Sequence, residues 1–339
     1  MSKAMDEIKN CITYNDKLYH AIPLTVIFAH LELVTFPFLI ELASDKHVVI
    51  NLPAEAIKNS LDNYSVKGLR EIYLSQEDYI NFLRLIKEKT QQALKLAKSK
   101  SESNTVNLFL NTFLDMSNMA SDALNKFGMN QFTLDMSKGV ASTLVESMES
   151  IPEIFNLLQN FKLRGKIPLA KEICTAYLVS SCLELLPWGA GRVKEKVVLG
   201  ILLADATLSR SDFQFIEKYH GRPEMLPERI RQHPFEVLKK LTNLAGIERE
   251  TILVIEQHHE LPSGKGFPRG LSGTNINQLA AVSIICRSFI DELFNSNFSS
   301  EQKDPIFQRV FERFYSGNFR LICNALFKVL NPEAHVEGF

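Results

Sequence analysis

The sequence lacks the features that mark several large classes of protein. Of its 339 residues, 38 are Lys or Arg and 39 are Asp or Glu, so there is no charge excess to attract duplex nucleic acid or an anionic membrane surface. The longest apolar stretch, 22–43, is interrupted by His30, Glu32, Pro37 and Glu41 and is therefore unsuited to spanning a bilayer. The first residues are charged and form no apolar signal-peptide core. We therefore expect a cytoplasmic protein that binds neither a nucleic acid polymer nor a membrane.

Cysteine is also scarce. The five cysteines are scattered and lie among apolar residues, so they indicate reduced core thiols rather than a disulfide framework or a zinc knuckle. Hydrophobic residues make up 45% of the chain and charged residues 23%, a composition that excludes a wholly disordered protein. At roughly 100–200 residues per domain, the length allows two or three domains.

Residues 1–98 mix strand and helix signals and predict a small α+β regulatory module. Two short apolar runs, 36–42 and 47–52, flank turn-forming residues, a pattern typical of a β-hairpin. A helix is predicted to begin at Pro53, and residues 71–74 read as a third strand. A Ser and an Asp in capping-box positions, 75 and 78, then precede an amphipathic helix that runs to Lys98.

The rest of the chain predicts helices. Residues 99–105 are small, polar and without periodicity, so we interpret them as a linker. Residues 106–159 predict a helical connector, with helices over 106–126 and 132–148 and another starting at Ile151–Pro152. Residues 160–339 predict an all-α domain, which gives a two-domain protein joined by the connector.

Histidine placement gives the first indication of chemistry. Histidine is absent from 48–219, whereas His233, His258 and His259 follow within 27 positions, with Asp205 upstream. Imidazoles combined with a carboxylate suit first-row metals such as iron, manganese or zinc. From spacing alone, a metal or phosphate site and an ordinary structural role remain equally open.

Residues 258–271 carry the most specific pattern in the chain. Their sequence, HHELPSGKGFPRGL, resembles the HHExxDGxGYPxGL signature of HD-GYP domains, which are bacterial cyclic di-GMP phosphodiesterases. Upstream, 202–208 stands where that family has LLHDIGK, and 231–234 matches its next histidine motif. The resemblance covers 160–310, and 1–98 resembles, less specifically, a module often found ahead of such domains. It implies an α+β N-terminal module followed by an all-α HD-GYP-like helical bundle.

The chain departs from the HD-GYP pattern at positions that carry chemistry in that family. Ala204 stands in place of the histidine of the HD pair, and Leu208 in place of the lysine that follows it. Ser263 replaces the aspartate of the loop motif, and Phe267 replaces its tyrosine. The late aspartate position falls on Arg287.

These departures have a pattern when they are sorted by metal. The resemblance implies a site with two or three metals, and the ligands of one of them are missing here. The ligands of its neighbour are all present, and they are Asp205, His233, His258 and His259. We therefore predict at most one divalent ion per chain, with Fe, Mn and Zn as the candidates.

Arg287 would place a permanent positive charge near the vacated metal position. It could grip a phosphate in place of the lost ion, or it could merely form a buried salt bridge with Asp205 in an inactive pocket. The sequence leaves both alternatives open.

The glycine loop is a second candidate for ligand contact. Its glycines permit positive φ and close backbone approach, and Lys265 and Arg269 supply cations for a phosphate or an acidic partner. The alternative is a surface loop that simply closes the pocket. The loop residues to which we assign this role are Gly264, Gly266, Phe267 and Pro268.

Together these features predict a non-catalytic or catalytically impaired HD-GYP-like signalling protein of bacteria. It would sense a cyclic dinucleotide or bind protein partners in a cyclic di-GMP pathway. One alternative is a residual metal-dependent phosphodiesterase that works with a single metal. A second is a dimerisation scaffold only, in which the chain forms a homodimer.

Overall fold

The computed structural model describes residues 11–333 except 44–45, 101, 149–166, 190, 220–221, 297–298 and 316–317. Within these residues, an antiparallel sheet with its helices comes first and is followed by helices alone. This order agrees with the predicted α+β module ahead of a helical bundle. The predicted helix start at Ile151–Pro152 lies outside the described residues.

The N-terminal sheet has five strands in the spatial order β1-β2-β5-β3-β4. Because side chains alternate across a strand, its two faces bury different residues. Ile22, Phe38 and Ile72 belong to the main core of the protein, whereas Leu39 and Tyr73 belong to a small separate cluster. The strands are β1 (Cys11–Tyr14), β2 (Lys17–Pro23), β3 (Phe38–Ala43), β4 (Lys46–Ile50) and β5 (Glu71–Ser75).

Sequence reasoning found one hairpin and missed another. The predicted hairpin is present as β3 and β4, in a register that pairs Phe38 with Ile50. The missed hairpin joins β1 to β2 through Asn15 and Asp16, which adopt φ of 48° and 59°. A two-residue turn of this kind favours Asn and Asp, so the Asn-Asp pair was the available signal.

Among the residues that the structure describes up to Met148, five α-helices pack against the sheet or lead away from it. The predicted cap of α3 is present, because the Asp78 amide donates to Ser75 Oγ over 3.2 Å. Helix α3 extends to Lys100 and α4 begins at Ser103, so the two helices meet within the predicted linker, and the domain division stays a prediction. The helices are α1 (Leu24–Ala29), α2 (Ala54–Val66), α3 (Gln76–Lys100), α4 (Ser103–Phe127) and α5 (Gln131–Ser147).

The remaining helices surround the predicted site. Their buried faces continue the same hydrophobic core that lies under the sheet, from Phe38 through Phe113 to Phe289. Within the described residues, no helix combines the length and apolar character needed to cross a membrane. The helices are α6 (Ile167–Glu184), α7 (Val193–Ala204), α8 (Arg210–Lys218), α9 (Glu228–Arg231), α10 (His233–Leu241), α11 (Arg249–Gln257), α12 (Gln278–Asn295), α13 (Lys303–Phe314) and α14 (Asn318–Leu330).

Candidate metal site

The four predicted metal ligands lie at helix ends that converge on one point. Asp205 directly follows α7, His233 opens α10, and the pair His258–His259 directly follows α11. Each residue offers one ligand atom, and these atoms all lie within 4.8 Å of one another. Helix α7 packs along α11, which brings the carboxylate to the histidine pair.

Hydrogen bonds at the back of two imidazole rings fix the direction of their lone pairs. Nδ1 of His233 lies 2.6 Å from the Ile230 carbonyl oxygen, and Nδ1 of His258 lies 2.7 Å from the Ile255 carbonyl oxygen. Because a carbonyl only accepts, each Nδ1 must carry the hydrogen, and in a neutral ring Nε2 is left with its lone pair. Metal-binding histidines are commonly oriented in this way.

The lone pairs point at other acceptors. Nε2 of His233 and Nε2 of His258 are 3.2 Å apart, and Asp205 Oδ1 lies 3.1 Å from the first and 3.3 Å from the second. Nothing in this trio donates when both rings are neutral, although all three groups are buried. A cation placed among the two nitrogens and the carboxylate oxygen would satisfy all three buried acceptors. The arrangement therefore favours a metal site.

His259 adds a third imidazole from the more open side. Its Nε2 lies 3.7 Å from Asp205 Oδ1 and has no hydrogen-bond partner within the described part of the chain. Its ring stacks on Phe267, with centroids 4.3 Å apart. An unsatisfied buried nitrogen aimed at the same carboxylate is what a fourth ligand would look like before the ion binds.

The protonation states also suit a metal. Burial lowers the pKa of His258 and lowers the pKa of His259 further, well below its usual value. Burial alone would raise the pKa of Asp205, but the positive charge of the Arg287 guanidinium holds that pKa well below its ordinary range. Metal binding requires neutral imidazole and ionised carboxylate, so these residues fit a divalent ion.

Arg287 contacts the same carboxylate from the opposite side. Its Nη2 donates to Asp205 Oδ2 over 2.6 Å, while Asp205 Oδ1 faces the histidines. The Arg287 side chain is 27% exposed, whereas the Asp205 side chain is 1% exposed. The guanidinium therefore pairs with a buried charge and still reaches the surface, where a ligand could meet it.

Sequence reasoning missed three charged residues next to Arg287. Asp291, one turn further along α12, pairs with Lys171 of α6 over 3.0 Å. Burial and the charge of Asp205 raise the pKa of Glu172 well above its usual value, and Arg287 opposes that rise. The four-residue spacing of Arg287 and Asp291 was a usable signal for a shared helix face, whereas Glu172 lay in no motif.

The substituted motif positions fill space. Ala204 is buried at the end of α7, and it offers no ligand atom. Leu208 packs against the small apolar cluster that contains Phe267, where a lysine in its place would bury a charge. Phe267 is 7% exposed, so its ring closes the cluster beside His259.

Glu260 shapes the glycine loop. It is 1% exposed, and its two carboxylate oxygens accept the backbone amides of Arg269 and Leu271, each over 2.8 Å. Gly266 is required there, because a Cβ would lie 2.3 Å from the Leu261 nitrogen. Gly264 has a φ of 73°, and the Phe267–Pro268 peptide is cis. Ser263 pairs with Ser272 across the neck of the loop.

The two predicted loop cations differ in their surroundings. Arg269 pairs with Glu256 over 2.5 Å and lies 5.6 Å from the Phe235 ring centroid. Lys265 is exposed. Within the described residues, neither forms a hydrogen bond or ion pair with the four-ligand cluster. The structure thus brings the four predicted metal ligands and Arg287 together but leaves the loop cations outside that cluster.

Comparison with known proteins identifies the fold. No family model matches the sequence, and no curated protein matches it either. The structure is similar to that of Bd1817, an HDG"Y"P protein from Bdellovibrio bacteriovorus, with a TM-score of 0.58 and 17% identity. The match covers 92% of this chain and 99% of that one. The resemblance predicted from the sequence is confirmed for the fold, and this chain has an HD-GYP-like architecture.

Proposed function

We propose that this chain is a degenerate HD-GYP-type signalling protein that binds one divalent ion and recognises a cyclic dinucleotide in a cyclic di-GMP pathway without hydrolysing it efficiently. The proposal combines the HD-GYP-like fold with the chemistry of the four converging ligands. Iron, manganese and zinc all accept a set of three imidazoles and one carboxylate.

The observation that carries this proposal is that the two oxygens of the Asp205 carboxylate have different partners. Oδ1 faces the histidines, and Oδ2 accepts a hydrogen bond from Arg287 over 2.6 Å. A carboxylate that bridges two ions with one oxygen on each needs both oxygens, and Oδ2 is already bonded to Arg287, so this arrangement favours one ion over two. Ala204 offers no ligand atom for a second ion, and the fixed charge of Arg287 would repel one.

The side chains have distinct tasks in this scheme. Backbone carbonyls hold the rings of His233 and His258 so that Nε2 faces inward, and Asp205 supplies the negative charge. A bound ion would supply positive charge for a phosphate oxygen. Arg287, which is partly exposed beside it, would donate to a second phosphate oxygen.

Two assays test the proposal on protein purified without a histidine tag. Elemental analysis after dialysis should give no more than one equivalent of Fe, Mn or Zn per chain, and two retained equivalents would contradict it. Cyclic di-GMP should bind more tightly to metal-loaded protein than to chelator-treated protein. Absence of any binding to the loaded form would overturn the choice of ligand.

A residual phosphodiesterase working with one metal is the alternative, and the completeness of the one-ion ligand set favours it. Losing a single positioned electrostatic group commonly costs about 10²–10³ in rate, so we expect turnover to be very slow. Steady formation of pGpG or GMP that disappears in His258→Ala would establish this alternative. Ala204→His alone should not restore hydrolysis, because Arg287 would remain beside Asp205.

A further inference from the structure

One element outside the site, the connector helix α5, contacts both the helix that precedes Asp205 and the turn between the two helices that carry the histidines. Helix α7, which ends next to Asp205, packs directly against α5. Helices α10 and α11 carry the histidines, and the turn that joins them contains Ala245. That turn is gripped by side chains of α5.

The grip consists of three residues on one face of α5. Gln131 accepts from the Ala245 amide over 3.0 Å and donates to the Ala245 carbonyl over 3.4 Å. Lys138 donates to the same carbonyl over 3.2 Å. Asp135 lies between them in the helix and contacts both, at 3.0 Å from Gln131 and 3.7 Å from Lys138. We call Gln131, Asp135 and Lys138 the α5 clamp.

The backbone conformation of the turn makes Ala245 accessible to α5. Gly246 has a φ of 75°, and a Cβ there would lie 2.7 Å from Lys138 Nζ. The left-handed conformation at Gly246 turns the chain sharply between α10 and α11, and it exposes both backbone groups of Ala245 to Gln131. A displacement of α5 would therefore pull on the turn between two ligand-bearing helices.

The other side of α5 reaches the N-terminal module. Helix α5 packs on α3 and α4, and α3 in turn packs on the sheet. A Cβ at Gly139 would lie 2.8 Å from Lys87 Cε, so the Lys87 side chain of α3 lies against α5 at that point. Lys126 near the end of α4 donates to the Ala21 carbonyl of β2 over 2.6 Å. A continuous packed path thus joins the sheet to the ligand helices.

We propose that α5 regulates the metal site, in that the α5 clamp sets the spacing of Asp205 from the histidines and couples metal binding to the N-terminal module. The inference rests on the proposed function, since it presupposes that the four ligands hold an ion. Binding equilibria that are coupled in this way are reciprocal. Metal bound at the site should therefore stabilise α5, and loosening α5 should weaken the metal.

The test compares Gln131→Ala with Gln308→Ala. Gln308 is an exposed glutamine on α13 that donates to Glu312 over 3.0 Å, as Gln131 does to Asp135, but it lies outside the α5 clamp. Both variants and the wild type are stripped with chelator and titrated calorimetrically with Mn²⁺, Fe²⁺ and Zn²⁺. Gln131→Ala should weaken binding about threefold to tenfold, and Gln308→Ala should bind like the wild type.

Hydrogen exchange supplies a second readout. In the wild type, metal should slow exchange in 131–147 as well as in 242–246, whereas in Gln131→Ala the slowing in 131–147 should be lost. Wild-type affinity in both Gln131→Ala and Lys138→Ala would overturn the inference while leaving the metal site intact. A wild-type chain that binds none of the three ions would instead overturn the proposed function itself.

Discussion

Two regions of this molecule bury histidine against a carboxylate, and they differ in whether the hydrogen bonds are complete. Where the N-terminal module meets α4, His30 is 1% exposed. Its Nδ1 lies 3.1 Å from Lys89 Nζ, and its Nε2 lies 2.9 Å from Asp115 Oδ2. Lysine only donates, so Nδ1 accepts, Nε2–H donates, and every polar atom of the ring is satisfied.

Around Asp205 the same residue types are arranged in the opposite sense. The histidine hydrogens are used on backbone carbonyls, and the lone pairs of His233 and His258 converge on a carboxylate oxygen. The two regions differ in the role of Nδ1. In His30 this nitrogen accepts a hydrogen bond, whereas in His233 and His258 it donates one and leaves Nε2 with a lone pair. At His30 the ring needs no further partner, whereas around Asp205 the converging acceptors support the cation that we propose there.

Removing Arg287 should have the largest effect on stability. Arg287→Ala leaves the Asp205 carboxylate buried without its guanidinium partner. We expect the free energy of unfolding of the metal-free protein to fall by about 3 kcal/mol. This is the lower end of the range for a broken buried ion pair, because Arg287 is partly exposed. Urea denaturation measures this. The control is Arg309→Ala, which breaks the exposed ion pair between Arg309 of α13 and Glu292 of α12. It should cost less than about 1 kcal/mol.

The same variant decides between the two roles that the sequence leaves open for Arg287. If the guanidinium also binds a phosphate, Arg287→Ala should in addition weaken cyclic di-GMP binding by about 1.5–3 kcal/mol. A large loss of stability with little change in nucleotide affinity would assign Arg287 to the neutralisation of Asp205.

Paired asparagine variants test the comparison of the two histidine regions directly. Asp205→Asn removes the only carboxylate of the four-residue cluster and should weaken Mn²⁺ binding more than about 100-fold, since loss of even an outer partner of a ligand costs 10- to 100-fold. Asp115→Asn at the His30 junction should leave Mn²⁺ affinity unchanged. Equal effects of the two substitutions would contradict the assignment of the ion to Asp205.

The candidate site was more predictable than its surroundings. The clustering of Asp205 with His233, His258 and His259 could be predicted because the motifs that carry these residues lie at recognisable spacings in the sequence. The β1–β2 hairpin was missed because its strands are short and only Asn15 and Asp16 mark the turn. Glu172 was missed because a contact between α6 and α12 leaves no trace in local spacing. The pairing of Arg269 with Glu256 likewise depends on how the loop folds back on α11.

A smaller effect is expected where the hydrogen bonds are complete. Asp115→Ala leaves the His30 Nε2–H without its partner and should lower the free energy of unfolding by about 1–2 kcal/mol, because Asp115 is 26% exposed and water can reach the vacated position. The loss should be the same with and without excess Mn²⁺. A loss that depends on the metal would show that the two regions are coupled through His30.

His20 is a buried histidine in a third kind of surroundings, and we expect its substitution to have the smallest effect on stability. It is 2% exposed, and neither of its ring nitrogens has a hydrogen-bond partner within the described residues. The ring lies against Phe127 and Tyr79, with centroids 4.5 and 5.6 Å away. Burial, assisted by the charge of Lys126, lowers the pKa of His20.

The pH dependence of stability follows from that shift. Below about pH 6.5 the unfolded chain protonates His20 and the native protein does not, so the unfolded state gains protons and stability falls as the pH drops. The contribution is at most about 1.4 kcal/mol per pH unit.

His20→Phe keeps an aromatic ring among aromatic neighbours and removes the titrating group. We therefore expect the variant and the wild type to show parallel stability curves above about pH 7.5 and to diverge below about pH 6.5, with the wild type losing stability faster. Depressed histidines of the metal-free site contribute equally to both curves and cancel in the difference. Curves that stay parallel down to pH 5 would mean that His20 takes up its proton as readily in the native protein as in the unfolded chain, which would contradict its burial without a hydrogen-bond partner.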